Sequence, residues 1–154
     1  HIIFTKPNSD SNGRIIASMI DEYVNCHSDR SVAFTSLGYL RYLSALQYVD
    51  GVIGNSSSGI VEVPSFGIPT LDIGARQKGR LAASSVLHCE ASYEAIAAGL
   101  SMIATNTVKA SAKEAKNPYE KPNTTENIWK IIKNYPLEDI IKKHFYDVKI
   151  CTDK

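Results

Sequence analysis

Short apolar runs alternate with amphipathic stretches along the chain, and the alternation changes period as it goes. Ile2 to Thr5 is an apolar run of strand length, followed by the turn-rich stretch Lys6 to Gly13. From about Arg14, Ile15, Ile16, Met19, Ile20 and Tyr23 recur at i, i+3 and i+4, which predicts a helix. Val32 to Phe34 reads as a second strand, Tyr39 to Val49 as a helix, and Gly51 to Gly54 as a third strand. Residues 55 to 59, Asn-Ser-Ser-Ser-Gly, form a small polar loop that opens a helix at about Ile60. Strands at Thr70 to Ile73 and Ser85 to His88 follow, then helices from about Tyr93 to Thr105 and Thr125 to Tyr135. Residues 111 to 124 are polar and read as an ordered surface loop or a lid edge, and the tail after about Lys142 as frayed or weakly docked.

Repeated strand–helix units with four-residue apolar strands predict an α/β fold, a Rossmann-like parallel sheet with helices on both faces. At 154 residues the chain fits a single domain, 1–154. The first residues lack an initiator methionine and already look like a core strand, so the chain reads as a piece of a longer protein.

Composition narrows the classes of partner. The apolar fraction is 44% and the charged fraction 21%, an ordinary globular balance. A formal charge of +1 gives no general attraction to nucleic acid or to an anionic membrane, so a bound anion would need a local site. The three cysteines, Cys26, Cys89 and Cys151, read as free thiols in a reducing, cytoplasmic setting. No apolar run approaches the ~18 residues of a membrane span. The four histidines are dispersed, no metal-ligand spacing is present, and neither a dinucleotide glycine fingerprint nor a Walker loop occurs. No metal or cofactor is therefore expected, and His88 reads as a strand residue with a satisfied hydrogen bond.

The chemistry concentrates after the third strand. Ser56, Ser57, Ser58 and Gly59 leave a strand and enter a helix, where unpaired N–H groups and hydroxyls could cradle a diphosphate. The alternative is that one serine caps the helix. Glu62 could complement the helix dipole or accept hydrogen bonds from ribose hydroxyls. Arg76-Gln77-Lys78-Gly79-Arg80 could clamp a pyrophosphate or be a solvated basic turn. Asn8 and Asp10, at the end of the first strand, could read a nucleotide or simply serve the turn.

The run from Val52 through Glu62, continuing through Pro64 to Pro69 and from Asp72 to Arg80, resembles the hydrolysing UDP-N-acetylglucosamine 2-epimerases. Pro7 to Asp10 and Asn117-Pro118-Tyr119 resemble the same family in order and spacing, so the likeness covers most of the chain. The resemblance implies the C-terminal, UDP-binding half of a two-domain enzyme of the GT-B type, lacking its first strand–helix unit and its N-terminal domain. It places Ser56 and Ser57 on the diphosphate, Glu62 on the ribose, Arg76 on the phosphate side and Asn8 near the nucleotide. Ser58, Gly59, Lys78 and Arg80 would lie on the phosphate side.

The implied reaction converts UDP-N-acetylglucosamine and water to N-acetylmannosamine and UDP, in sialic-acid or related nonulosonate synthesis. The principal acid/base groups are expected in the other domain, and no catalytic residue is assigned here. The partners implied are the UDP-sugar, the chain's own N-terminal domain and further copies in a homo-oligomer. The isolated chain is expected to be inactive and to bind UDP poorly. Three alternatives stay open: a 2-epimerase for UDP-N,N′-diacetylbacillosamine, a GT-B glycosyltransferase, and a non-catalytic nucleotide-sugar-binding module.

Overall fold

Each apolar run of the first ninety residues becomes a strand, and every strand pair is parallel. The structure, a computed structural model, describes residues 1–7, 12–142, 145 and 146. It contains two compact units, His1–Tyr119 and Glu120–Lys154.

In the first unit β1 (Ile2–Thr5) leads through α1 (Gly13–Cys26) to β2 (Ser31–Phe34), and the two strands pair with Ile2 opposite Ser31. Phe4, Tyr23 and His27 stack in sequence to hold α1 on this pair, Phe4 edge-on to Tyr23 and Tyr23 face-on to His27. Then α2 (Gly38–Leu46) leads to β3 (Val52–Gly54), which begins a second sheet with β4 (Thr70–Ile73) and β5 (Val86–Cys89) in the order β3-β4-β5. The sheet is thus in two pieces: among the described residues the second edge of β1 and the second edge of β3 are unpaired. Ile2, Ile3, Val32, Phe34 and Ile53 are all exposed.

The core sits on β4, whose successive side chains face opposite helices. Leu71 is fully buried under α4 (Tyr93–Ile103), where a methyl group added to Gly99 would come within 2.6 Å of a Leu71 methyl. Thr70 faces the other way, donating its hydroxyl to the carbonyl of Gly59 at 2.8 Å in α3 (Ser58–Val61). Helices therefore cover both faces of this sheet, as the strand–helix alternation predicts. Ile60 and Val63 complete the α3 side of the core.

Two elements differ from the pattern. The helix expected from about Ile60 is a single α-turn, Ser58–Val61, running into a 3-10 helix, Val63–Phe66. Pro64 supplies no N–H and crowds the carbonyl four residues back, so a longer α-helix cannot propagate there. Gly67 then closes the 3-10 helix in the left-handed region (φ 65°).

Beyond α4, the expected polar loop is in part a helix, α5 (Asn106–Glu114), capped by the Thr105 hydroxyl on the Val108 N–H. Only Ala112 of α5 is buried, so its apolar periodicity is too sparse to read. In the second unit α6 (Thr124–Asn134) carries Ile128, Trp129, Ile131 and Ile132, each more than half exposed.

Candidate functional site

β3, β4 and β5 run parallel, so the loops that leave their carboxyl ends gather on one edge of the sheet, where α/β folds bind ligands. Asn55 to Ser57 follow β3, and residues 74–80 follow β4. The three serines have different surroundings. Ser58 Oγ bonds the hydroxyl of Tyr42 at 2.5 Å, joining α3 to α2. The Tyr42 phenol is pushed above its ordinary range by burial first; the Ser58 bond lowers it, and the charge of Glu62 adds to the rise.

Ser56 Oγ accepts from the Ser58 N–H at 3.4 Å, longer than a good N–H···O bond. Ser57, at the N-cap position, makes no capping bond with its side chain, and both Ser56 and Ser57 are exposed. Among the described residues the backbone N–H groups of Ser56 and Ser57 have no hydrogen-bond acceptor. Capping accounts for Ser56 only weakly and for Ser57 not at all. What remains is two hydroxyls and two N–H donors at the end of a strand.

Gly59 is buried against Thr70, and a methyl group there would stand 2.7 Å from the Thr70 methyl. Its missing side chain lets α3 lie close on β4. Glu62 joins α3 to the 3-10 helix, at the C-cap of one and the N-cap of the other, and is partly exposed. It stands past a one-turn helix, so the dipole reading has little helix to act on.

The loop after β4 is folded by two glycines in the left-handed region, Gly74 (φ 81°) and Gly79 (φ 83°). Arg76, Lys78 and Arg80 are exposed, but Gln77 between them is 3% exposed. Its Nε2 donates to the carbonyl of Asn55 at 2.8 Å, and its Oε1 accepts from Arg80 Nη1 at 3.0 Å. This one side chain ties the serine loop to the basic loop and orients Arg80 as well.

A second tie comes from the far end of the unit. Asn117 Nδ2 donates to the Val61 carbonyl at 2.8 Å and to Ser65 Oγ at 2.7 Å, and Tyr119 donates its hydroxyl to the Leu81 carbonyl at 3.0 Å. Neither tie was legible as such: Gln77 lies in a run of cations that reads as a solvated turn, and Asn117 in a polar stretch that reads as loop. The only signal was their membership in motifs of the family resemblance.

His88 has the hydrogen bond expected of it, from Nδ1 to Asp72 Oδ2 at 2.8 Å. Asn8 and Asp10 lie outside the described residues. Among the described residues no group of three His, Cys, Asp or Glu could hold a metal ion, and no helix is long and apolar enough to cross a membrane.

The serine loop and the basic loop are thus joined at the carboxyl ends of β3 and β4 in an α/β unit. Residues 1–133 match the family described as UDP-N-acetylglucosamine 2-epimerase, and the chain belongs to that family. It is 34% identical to the polysialic acid biosynthesis protein P7 of Escherichia coli over 151 residues, 97% of this chain and 38% of that protein. It is 43% identical to a GDP/UDP-N,N′-diacetylbacillosamine 2-epimerase (hydrolyzing) of Campylobacter jejuni over 89 residues, 58% of this chain and 23% of that one. A UDP-N-acetylglucosamine 2-epimerase of Neisseria meningitidis is 28% identical over 151 residues, 97% of this chain and 39% of that protein. The chain thus spans about two fifths of the length of the relatives it matches from end to end.

Proposed function

We propose that the chain is the UDP-binding part of a hydrolysing UDP-N-acetylglucosamine 2-epimerase. The observation that carries the reading is the buried Gln77, which holds the exposed Ser56–Ser57 loop and the Arg76–Arg80 loop in one place. Hydroxyls and free N–H groups on one side and cations on the other suit a diphosphate. In this reading Ser56 and Ser57 hold the diphosphate, Arg76 lines its other side, with Lys78 and Arg80 nearby, and Glu62 takes the ribose hydroxyls. Asn8 approaches the nucleotide. Ser58 and Gly59 support the loop from behind, through Tyr42 and Thr70.

The chemistry asked of such a site is departure of a charged leaving group. The C1–O bond of the sugar breaks with its electron pair passing to the UDP oxygen, while C2 loses its proton to a base. Water then adds across the resulting double bond, its oxygen to C1 and a proton to C2 from the opposite face. The sequence changes no oxidation state overall, so the reading invokes no redox cofactor. Fixed donors around the departing diphosphate stabilise charge as it develops. The proton-transfer groups belong to a second domain that closes the cleft, in a cytoplasmic homo-oligomer. An upstream strand, pairing with the free edges of β1 and β3, would make one sheet of the two.

The test is to incubate the full-length protein with UDP-N-acetylglucosamine and follow sugar and nucleotide by NMR. Equal amounts of N-acetylmannosamine and UDP are expected, with both reduced about tenfold or more by Ser57→Ala or Arg76→Ala. Sugar transfer to an acceptor, or no turnover of any UDP-sugar, would overturn the reading. The identity to the Campylobacter protein favours a second substrate, UDP-N,N′-diacetylbacillosamine. Release of UDP from that nucleotide alone would keep the mechanism and change the sugar.

A further inference from the structure

Asp72 and His88 stand directly opposite each other in the β4–β5 ladder, so their side chains share one face of the sheet. It is the α3 face: Thr70, two residues before Asp72, packs on Gly59, whereas Leu71 packs on α4. The Asp72 side chain is 2% exposed and that of His88 is 49% exposed. One edge of the imidazole is therefore anchored on a buried carboxylate, and the far edge, with Nε2, is left toward solvent. Burying a carboxylate on the middle strand costs stability even when it is hydrogen-bonded, so the position of Asp72 calls for another reason. That reason lies beside it. His88 lines a cavity of about 320 Å³ with Gly74, Lys78, Gly79, Arg80 and Glu90, at the carboxyl ends of β4 and β5.

We propose that this cavity binds a tetrahedral oxyanion of the phosphate class, with His88 as a donor that engages it when protonated and Asp72 as its positioning residue. The inference rests on the reading of the neighbouring loops as a diphosphate site and adds a ligand group to it. Lys78 and Arg80 supply fixed charge, and Arg80 keeps donors to spare beyond the one it gives Gln77. An ionised Asp72 accepts the Nδ1 proton, so a charged imidazole keeps its Nε2–H for a ligand. The groups that face His88 are Asp72 on β4, Lys78 and Arg80 on the loop, and Cys89 and Glu90 beside it on the chain. With His88 charged, the ionisable groups around the cavity sum to one positive charge. With it neutral they sum to zero, and the attraction for a dianion falls.

Sulfate is the probe, because it remains a dianion throughout the range in which histidine titrates. Calorimetry on the full-length protein should show sulfate binding about tenfold tighter at about pH 5.5 than at about pH 8.5, the worth of one charge-assisted hydrogen bond. His88→Gln should bind at both pH values as the wild type does at the higher one. Asp72→Asn should weaken sulfate at the lower pH and add no further loss in combination with His88→Gln, a coupling that a merely structural aspartate would not show. Equal sulfate affinity at the two pH values, or a His88→Gln variant that keeps the response, overturns the proposal.

Displacement of sulfate by UDP would identify the occupant as the nucleotide's own diphosphate. Simultaneous binding would identify a free anion, and either outcome sustains the site. Calorimetry with UDP alone separates the two readings. A protein that ignores UDP but keeps the sulfate response loses the nucleotide reading alone.

Discussion

Replacing Gln77 by leucine removes both hydrogen bonds of the tie and keeps its bulk in the buried space. The Asn55 carbonyl loses its 2.8 Å donor, but Asn55 is exposed and water can reach it. Arg80, also exposed, loses its 3.0 Å acceptor and finds water at little cost. A neutral hydrogen bond contributes about 0.5–1.5 kcal/mol, so with the second bond discounted for exposure the variant should lose about 1–2 kcal/mol of stability.

The larger effect should fall on binding. Without the tie, the Ser56–Ser57 loop must be ordered by the ligand itself. Fixing a loop residue or two costs enough to weaken UDP about tenfold. Urea denaturation and UDP calorimetry on the full-length protein measure the two losses separately. The reasoning is refuted if stability falls as expected while UDP affinity stays within about twofold of wild type. In that case the two loops do not act as one site.

Three further outcomes follow from the packing and the charges. Gly59→Ala forces a methyl group to 2.7 Å from Thr70 and should cost about 1–3 kcal/mol in urea denaturation, whereas an unstrained Gly→Ala change would stabilise. The Tyr42 phenol is raised by burial, so the unfolded chain gives up that proton first. Stability should therefore fall as pH rises beyond the ordinary phenol range, and Tyr42→Phe should flatten that part of the profile. The purified 154-residue chain alone should show no epimerase turnover in the NMR assay; measurable turnover would show that it needs no second domain.

Among the described residues the five strands and the first two helices were legible because their apolar positions recur with clear periods, and β4 and β5 sit within a residue of expectation. α3 was legible in place but not in kind, since its length is set by Pro64 rather than by periodicity. α5 was missed because one buried alanine leaves no pattern. In the site, Ser56 and Ser57 stand at a strand end as their loop composition suggests. The roles of Gln77, Asn117 and Asp72 depend on partners 22, 56 and 16 residues away, and local pattern carries no information at that range. The division of the sheet was equally invisible, because a strand's own residues do not say which edges find a neighbour.

The division has a consequence for how the first unit gains and loses its structure. β1, α1 and β2 close on one another within 33 residues, and β3, β4 and β5 within 38, with no ladder bond between the groups among the described residues. Each sheet is thus a separate cooperative element, and amide exchange should resolve them. The β1–β2 amides, beneath exposed Ile2, Ile3, Val32 and Phe34, should exchange through local opening, and those of buried β4 only through global unfolding. The serine loop, the basic loop and the Asp72–His88 pair all belong to the slower element. Partial unfolding of the first sheet would leave the serine and basic loops in register.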